Sequence, residues 1–252
     1  MIRNRMGVLV PDTPVMRNLV TRVPNETPIP ADVKVVDMGL PSGTKWAECD
    51  IDLTKTNKFC DTPFTYEKSF FSWGNIDGHN PTSQSSFAPW NWGGVNTQEP
   101  WYDGQVYGGT PGNTLTGNIP VDKQFDAARA NIGSSWRMPT TAEFNELFAG
   151  SIYINADGTE VDTSMVDKRV TVNGIVGLYL QSKTNDNRLF FSVSGYGYGP
   201  TWDVSGAYGY YWSSSFHSSR YARCLDFFSG GVNPQDVSNR YFGFAIRPVI
   251  SR

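Results

Sequence analysis

Cysteine, histidine and charge are all scarce in this 252-residue sequence. Only Cys49, Cys60 and Cys224 are present, no two of them spaced as C-x-x-C, and His79 and His217 are the only imidazoles. That inventory argues against the familiar zinc sites, so no metal centre is expected, and three cysteines cannot all pair. Reduced, buried thiols are the expected state, although spacing alone leaves a Cys49–Cys60 bridge open. Charged residues make up 18% of the chain and the net charge is −3, so no basic field exists to attract nucleic acid or an anionic lipid surface. No apolar run approaches the roughly 20 residues that a membrane-spanning helix needs, so membrane insertion is not expected. The apolar piece Gly7–Val10 is too short for a secretory core and stops at Pro11, so the chain reads as one without an export signal.

What is abundant is Gly (25), Pro (16) and aromatic side chains (14%). Such a composition excludes a helical bundle and points to a loop-rich fold held by aromatic packing. Residues 1–32 carry Pro11, Pro14, Pro24, Pro28 and Pro30. They read as an extended arm for attachment or oligomerisation, with one edge strand around Met16–Val23. Residues 33–252 read as the globular part. Strands are expected at Val33–Met38, Lys45–Cys49 and Ser69–Trp73. The Gly-, Asn- and Pro-rich stretch 74–120 is a long insertion in which Trp90, Trp92 and Trp101 supply packing.

Two helices are legible. One spans Val121–Ile132, with Asp122 near its start and Gly133 as its stop. The other opens on the capping box Thr140-Thr-Ala-Glu143 and ends at Gly150, with Phe144, Leu147 and Phe148 on one face. Beyond it, strands are expected at Ser151–Asn155 and Val161, around the turn Asp157-Gly158. Others follow near Gly177–Gln181, Arg188–Val193, Gly209–Ser215, Ala222–Ser229 and Phe244–Ile250. Gly195–Gly199 reads as a turn, because Pro200 follows and no helix starts there. Asp50 and Asp52 read as solvated loop acids. Two helices among many short strands make the fold class α+β.

Several segments, in order, carry a resemblance. They are Val36-Asp-Met-Gly-Leu-Pro-Ser-Gly-Thr-Lys-Trp-Ala47, Phe71-Ser-Trp-Gly74, Asp126-Ala-Ala-Arg-Ala-Asn131, Ser135-Trp-Arg-Met-Pro-Thr140-Thr-Ala-Glu143, Tyr211-Trp-Ser-Ser-Ser215 and Gly243-Phe-Ala-Ile-Arg-Pro-Val249. Over residues 35–250 the chain resembles the Fibrobacter succinogenes major paralogous domain family, found in gut Bacteroidetes and their phages. The resemblance implies a C-type-lectin-like fold of the formylglycine-generating-enzyme subtype, with two helices and short, mainly antiparallel strands.

Residues 205–249 further resemble the variable region of proteins diversified by retroelements, in which error-prone copying of template adenines rewrites Asn codons. The scaffold would be Tyr211–Ser215, Ala222, Leu225, Phe227, Ser229, Val232, Arg240, Gly243 and Arg247-Pro248-Val249. Between these points lie the candidate ligand-binding residues Tyr208, Tyr210, Phe216, His217, Arg220, Tyr221 and Arg223. Asp226, Phe228, Asn233, Tyr241, Phe242 and Phe244 complete the set. Each is reachable from an Asn codon by changing adenines alone, whereas Gln235 is not.

Composition points the same way. Eleven aromatic residues fall between Tyr208 and Phe244, a span of 37 positions. Strand alternation over Ala222–Ser229 places Leu225, Phe227 and Ser229 on one side, with Asp226 and Phe228 on the other. A surface of Tyr, Phe, Arg and Asp is the composition of a contact site.

The resemblance therefore implies a phage tail-fibre or receptor-binding protein that adsorbs to a host cell-surface glycan or protein. Residues 1–32 would join it to other virion tail proteins, or to further copies of itself. A bacterial surface or secreted binding protein of the same family is the alternative, and the expected absence of a leader favours the virion. An enzyme of the formylglycine-generating type is not expected, since that chemistry needs a pair of cysteines near the C-terminus and only Cys224 lies there. No cofactor is expected. Asn233-Pro-Gln-Asp236 only partly matches the calcium-dependent sugar motif of C-type lectins, while a structural calcium held by loop aspartates is compatible with the sequence.

Overall fold

The computed structural model describes residues 33–80, 115–197, 206–218 and 220–250, together with the backbone of 2–3, 9–10, 198 and 201–203. The expected strand at Met16–Val23, the residues Trp90, Trp92 and Trp101, and Gly199-Pro200 lie outside the described residues.

The described residues form an α+β fold of two short helices and small antiparallel sheets. Strands β1 (Ile2–Arg3) and β2 (Leu9–Val10) pair with each other. Strand β3 (Val35–Val36) pairs with β4 (Lys45–Ala47). Helix α1 (Ala127–Ile132) is shorter than expected. Asp122 spends its carboxylate on a turn, accepting from the N–H of Gln124 (2.9 Å) and Phe125 (3.2 Å). Asp126 then acts as the true N-cap, accepting from the N–H of Arg129 (3.1 Å). Helix α2 (Thr141–Ala149) has the expected capping box.

Strand β7 (Ile175–Ser182) pairs with β5 (Ser151–Tyr153) along one part of an edge and with β6 (Val170–Val172) along another. Its opposite edge takes β8 (Arg188–Ser192). The β6–β7 hairpin turns on Asn173 (φ 50°) and Gly174 (φ 79°), the two left-handed residues that a tight primed turn requires. Strands β9 (Tyr196–Tyr198) and β10 (Thr201–Asp203) pair, so within the expected turn at Gly195–Gly199 residues 196–198 are corrected to a strand. Strands β11 (Gly209–Phe216), β12 (Tyr221–Phe228) and β13 (Gly231–Asn239) form a three-stranded sheet. Finally β14 (Val249–Ile250) returns to β4, which sets the order β14-β4-β3. The expected strands Ser69–Trp73 and Phe244–Ile250 are mostly single bridges, Phe71 opposite Phe244 among them.

Two apolar clusters hold these pieces. The first packs Phe144 and Leu147 of α2 against Trp46, Leu178, Phe191, Tyr211, Leu225 and Phe227. The second gathers Phe71, Trp73, Trp136, Trp212, Ala222, Cys224 and Phe244. Strand β12 supplies both, Leu225 and Phe227 from one face and Ala222 and Cys224 from the other, so it runs between the two clusters.

Asp50 and Asp52 are buried (1% and 3% exposed) rather than solvated. Asp50 is ion-paired to Arg247 (2.6 Å) and to Lys68, whose side chains are both fully buried. Asp52 accepts from Thr54 Oγ1 and from Asn80 Nδ2 (both 2.6 Å). A carboxylate can occupy an aromatic core when its partners are buried with it.

Candidate functional site

Directly paired residues of adjacent strands share a face. Tyr210 pairs with Asp226, and Asp226 pairs with Asn233, so one row of candidate residues crosses all three strands. Phe228 lies two residues beyond Asp226 on the same face. Tyr208 joins them, its ring 5.6 Å from Phe228 and 6.0 Å from Tyr210. Behind the row, Phe244 stacks on Tyr210 (4.6 Å) and on Trp212 (4.2 Å). The aromatic run continues through Phe242, 6.0 Å from Phe244, to Tyr241 at 4.9 Å.

Tyr196 of β9, absent from the expected set, closes the group at 5.4 Å from Tyr210 and 5.6 Å from Phe242. A bridge between Gly197 and Gly243 brings it there. The signal lay in Gly195-Tyr-Gly-Tyr, a period-2 pattern that reads as a strand once Pro200 is set aside.

Not every expected residue belongs to this surface. Phe244 is buried (1% exposed) and supports the row from below. Tyr221 and Arg223 lie an odd number of positions from Asp226 on a regular strand, so they face the opposite way. Arg223 donates to the carbonyl of Gln235 (2.8 Å) and stands opposite the exposed Val237. Phe216, His217, Arg220 and Tyr221 cluster at the far end of the sheet, about 20 Å from Phe228 at the usual rise per strand residue. There the Phe216 ring lies 6.4 Å from Trp73, and the Arg240 guanidinium sits 4.3 Å over Trp73 and 5.8 Å over Phe216. Ser229, expected in the scaffold on one side with Leu225 and Phe227, is exposed in the β12–β13 turn.

The register explains this division. Between the pairs Cys224–Asp236 and Asp226–Asn233, strand β13 carries one extra residue, at Pro234-Gln235. A bulge is where a sheet tolerates proline. Strand β11 likewise carries extra residues between Trp212 and Phe216. Within the bulge of β13, Asn233 Nδ2 donates to Asp236 Oδ1 (3.2 Å), and the N–H of Gln235 donates to Asn233 Oδ1 (3.0 Å). The two side chains of the partial calcium motif are thus bonded to each other. Among the described residues, no group of three or more His, Cys, Asp or Glu is placed to hold a metal, and no helix is long and apolar enough to cross a membrane.

Electrostatics single out Asp226. Burial and the nearby charge of Asp236 push its carboxyl up to about 7, and its Oδ1 is buried without a hydrogen-bond donor among the described residues. Burial, with the Asp226 charge beside it, also raises the Tyr210 hydroxyl.

All three cysteines are free thiols, so no Cys49–Cys60 bridge forms. Burial pushes Cys49 up to about 11 and raises Cys60 and Cys224 as well, which makes each a poor nucleophile at neutral pH. A groove of about 600 Å³ lies elsewhere, between β3 and β8, lined by Lys34, Glu48, Phe64, Tyr179 and Arg188; it contains none of the expected site residues.

Comparison with protein-family models, with curated proteins and with solved structures gives no match.

Proposed function

We propose that residues 33–252 form a C-type-lectin-like binding domain of the Fibrobacter succinogenes major paralogous type, with residues 205–249 as its diversified region. On this reading the protein is a receptor-binding component of a phage tail, and it adsorbs through an aromatic surface to a glycan or protein on a gut Bacteroidetes cell. The family and the virion setting rest on the sequence resemblance. The observation that carries the binding role is how burial divides residues 208–249. Tyr211, Trp212, Ser213, Ala222, Leu225, Phe227, Arg240 and Arg247, all assigned to the scaffold, are at most 1% exposed. Tyr208, Tyr210, Arg223, Asp226, Asn233 and Tyr241, assigned to the variable set, are half-buried or exposed, and Tyr221 and Phe228 are each 37% exposed. Rigid aromatic side chains held at a surface by a buried frame provide contact area at low entropy cost.

The test is adsorption of fluorescently labelled protein to a panel of Bacteroidetes strains. Phe228→Ala is expected to reduce adsorption at least tenfold while leaving the melting temperature within 2–4 °C, about the effect of 1 kcal/mol on a chain of this size. Unchanged adsorption by both Phe228→Ala and Tyr210→Ala would remove this surface as the site. A near-copy of the 205–249 coding region beside the gene, differing only at adenines of the copy, would establish diversification.

A further inference from the structure

The face that carries Tyr210, Asp226 and Asn233 holds one group that aromatic contact alone does not explain. Asp226 is the cross-strand partner of Tyr210 and lies two residues from Phe228 on the same face, with Oδ1 buried and accepting no hydrogen bond among the described residues. Its cross-strand partner Asn233 donates instead to Asp236, a second acid on the same face. Arg223 is turned to the opposite face and bound to the Gln235 carbonyl. A carboxylate left unpaired beside another carboxylate is a costly arrangement. Such arrangements concentrate where a ligand completes them. The rings complement the acid, because aromatic faces attract cations and shield the pair from water.

We propose that Asp226, with Tyr208, Tyr210 and Phe228, forms a subsite for a primary ammonium group on a short apolar skeleton, as carried by an amino sugar or an alkylamine side chain. The ammonium donates to Asp226 at Oδ2, since Oδ1 is closed to solvent, its neighbouring C–H groups lie against the rings, and Asp236 adds attraction at longer range. This rests on the reading of the same face as contact surface, and it names the chemistry that the face selects.

The experiment is a titration of the full chain, followed by amide chemical shifts, with glucosamine, lysinamide and N-acetylglucosamine. Glucosamine or lysinamide is expected to shift Asp226 and its neighbours, at least tenfold more tightly than the neutral N-acetylglucosamine. Asp226→Asn is expected to abolish that preference, while its amide spectrum shows the sheet intact. The tighter of the two amines identifies the source of the group. Equal binding of N-acetylglucosamine, or amine binding that survives Asp226→Asn, would overturn the subsite. Cell adsorption that depends on Phe228 but ignores both Asp226→Asn and added amine would overturn the subsite and leave the contact surface standing. Adsorption indifferent to Phe228 and Tyr210 would remove both.

Discussion

Replacing Asp50 tests whether the domain is organised around a buried charge. Its carboxylate is 1% exposed and lies between two cations whose side chains are fully buried, Arg247 at 2.6 Å and Lys68. Lys68 also donates to Ser192 Oγ (2.7 Å), Arg247 Nη2 donates to the Phe190 carbonyl (2.9 Å), and the Arg247 guanidinium lies 4.5 Å over the Phe191 ring. Asp50→Asn keeps the shape but leaves two like charges in the core with no counter-charge at this site. Removing one member of a buried ion pair costs about 3–5 kcal/mol. For a chain of this size each kcal/mol moves the melting temperature by about 2–4 °C, so the expected drop is roughly 6–20 °C. Thermal and urea unfolding followed by circular dichroism would measure it.

The pH dependence has a definite sign. Burial alone would raise the Asp50 pKa, but Arg247 and Lys68 outweigh it and hold the carboxyl below its ordinary 3.8. Its contribution is therefore present above about pH 4 and lost as pH falls through the lowered folded value, so wild type and Asp50→Asn converge in acid. Replacing all three charges with apolar residues (Asp50→Leu, Lys68→Met, Arg247→Met) is expected to recover most of the loss. A penalty below about 1 kcal/mol at pH 7 would refute the reasoning, as would a gap that widens on acidification.

Three further outcomes follow from particular contacts. Glu143 caps α2 and takes two bonds from Arg137 (2.8 and 2.5 Å) and one from Thr44 Oγ1 (2.7 Å). Although burial opposes ionisation, Arg137 leads the groups that hold the carboxyl down at about 2, against an ordinary 4.5. Glu143→Gln is therefore expected to cost about 1–3 kcal/mol in urea titrations at pH 7, and less as pH falls from 4.5 toward 2. Gly177→Ala would place a methyl 2.2 Å from the Phe191 carbonyl oxygen, across the β7–β8 pair. That is expected to destabilise by about 3 kcal/mol or more, whereas Gly117→Ala, with none of the described residues within 4 Å of its Cβ, should stay within about 0.5 kcal/mol. Tyr221→Ala and Phe228→Ala lie on opposite faces and about 20 Å apart, so their effects on stability should add within about 0.5 kcal/mol in thermal melts.

Local chemistry was readable wherever a few adjacent residues settle the outcome. Thr140 with Glu143, and Gly150 three turns later, define α2 without reference to the rest of the chain. Asn173-Gly174 is as strong a turn signal, but Val170–Val172 before it is too short to stand out as a strand. Strand β13 is hidden for the opposite reason: Pro234, Asn233 and Asp236 argue against a strand, and an edge position with a bulge against β12 accommodates them. Asp50 does not stand out as a core acid in the sequence, because its partners Lys68 and Arg247 are 18 and 197 residues away and no local pattern records such a distance. The candidate surface fared similarly. Its residue types stood out by composition, while their assignment to faces depended on register shifts in two neighbouring strands.

That dependence bears on how such a surface can change while the fold persists. Strand β12 is the regular member of its sheet, and the extra residues fall on β11 and β13. The ladder on both of its edges is made by backbone groups, which are indifferent to side-chain identity. Stability at this sheet is therefore vested in Ala222, Cys224, Leu225 and Phe227, together with Tyr211 and Trp212, all buried between the two clusters. Substitution at Tyr208, Asp226 or Phe228 removes contacts from the outer aromatic row without opening a cavity beneath it. Phe244 differs from the other candidates in this respect. Stacked between Tyr210 and Trp212 and hydrogen-bonded to Phe71 through its backbone, it belongs mechanically to the frame, and changing it would disturb the platform on which the exposed rings are held.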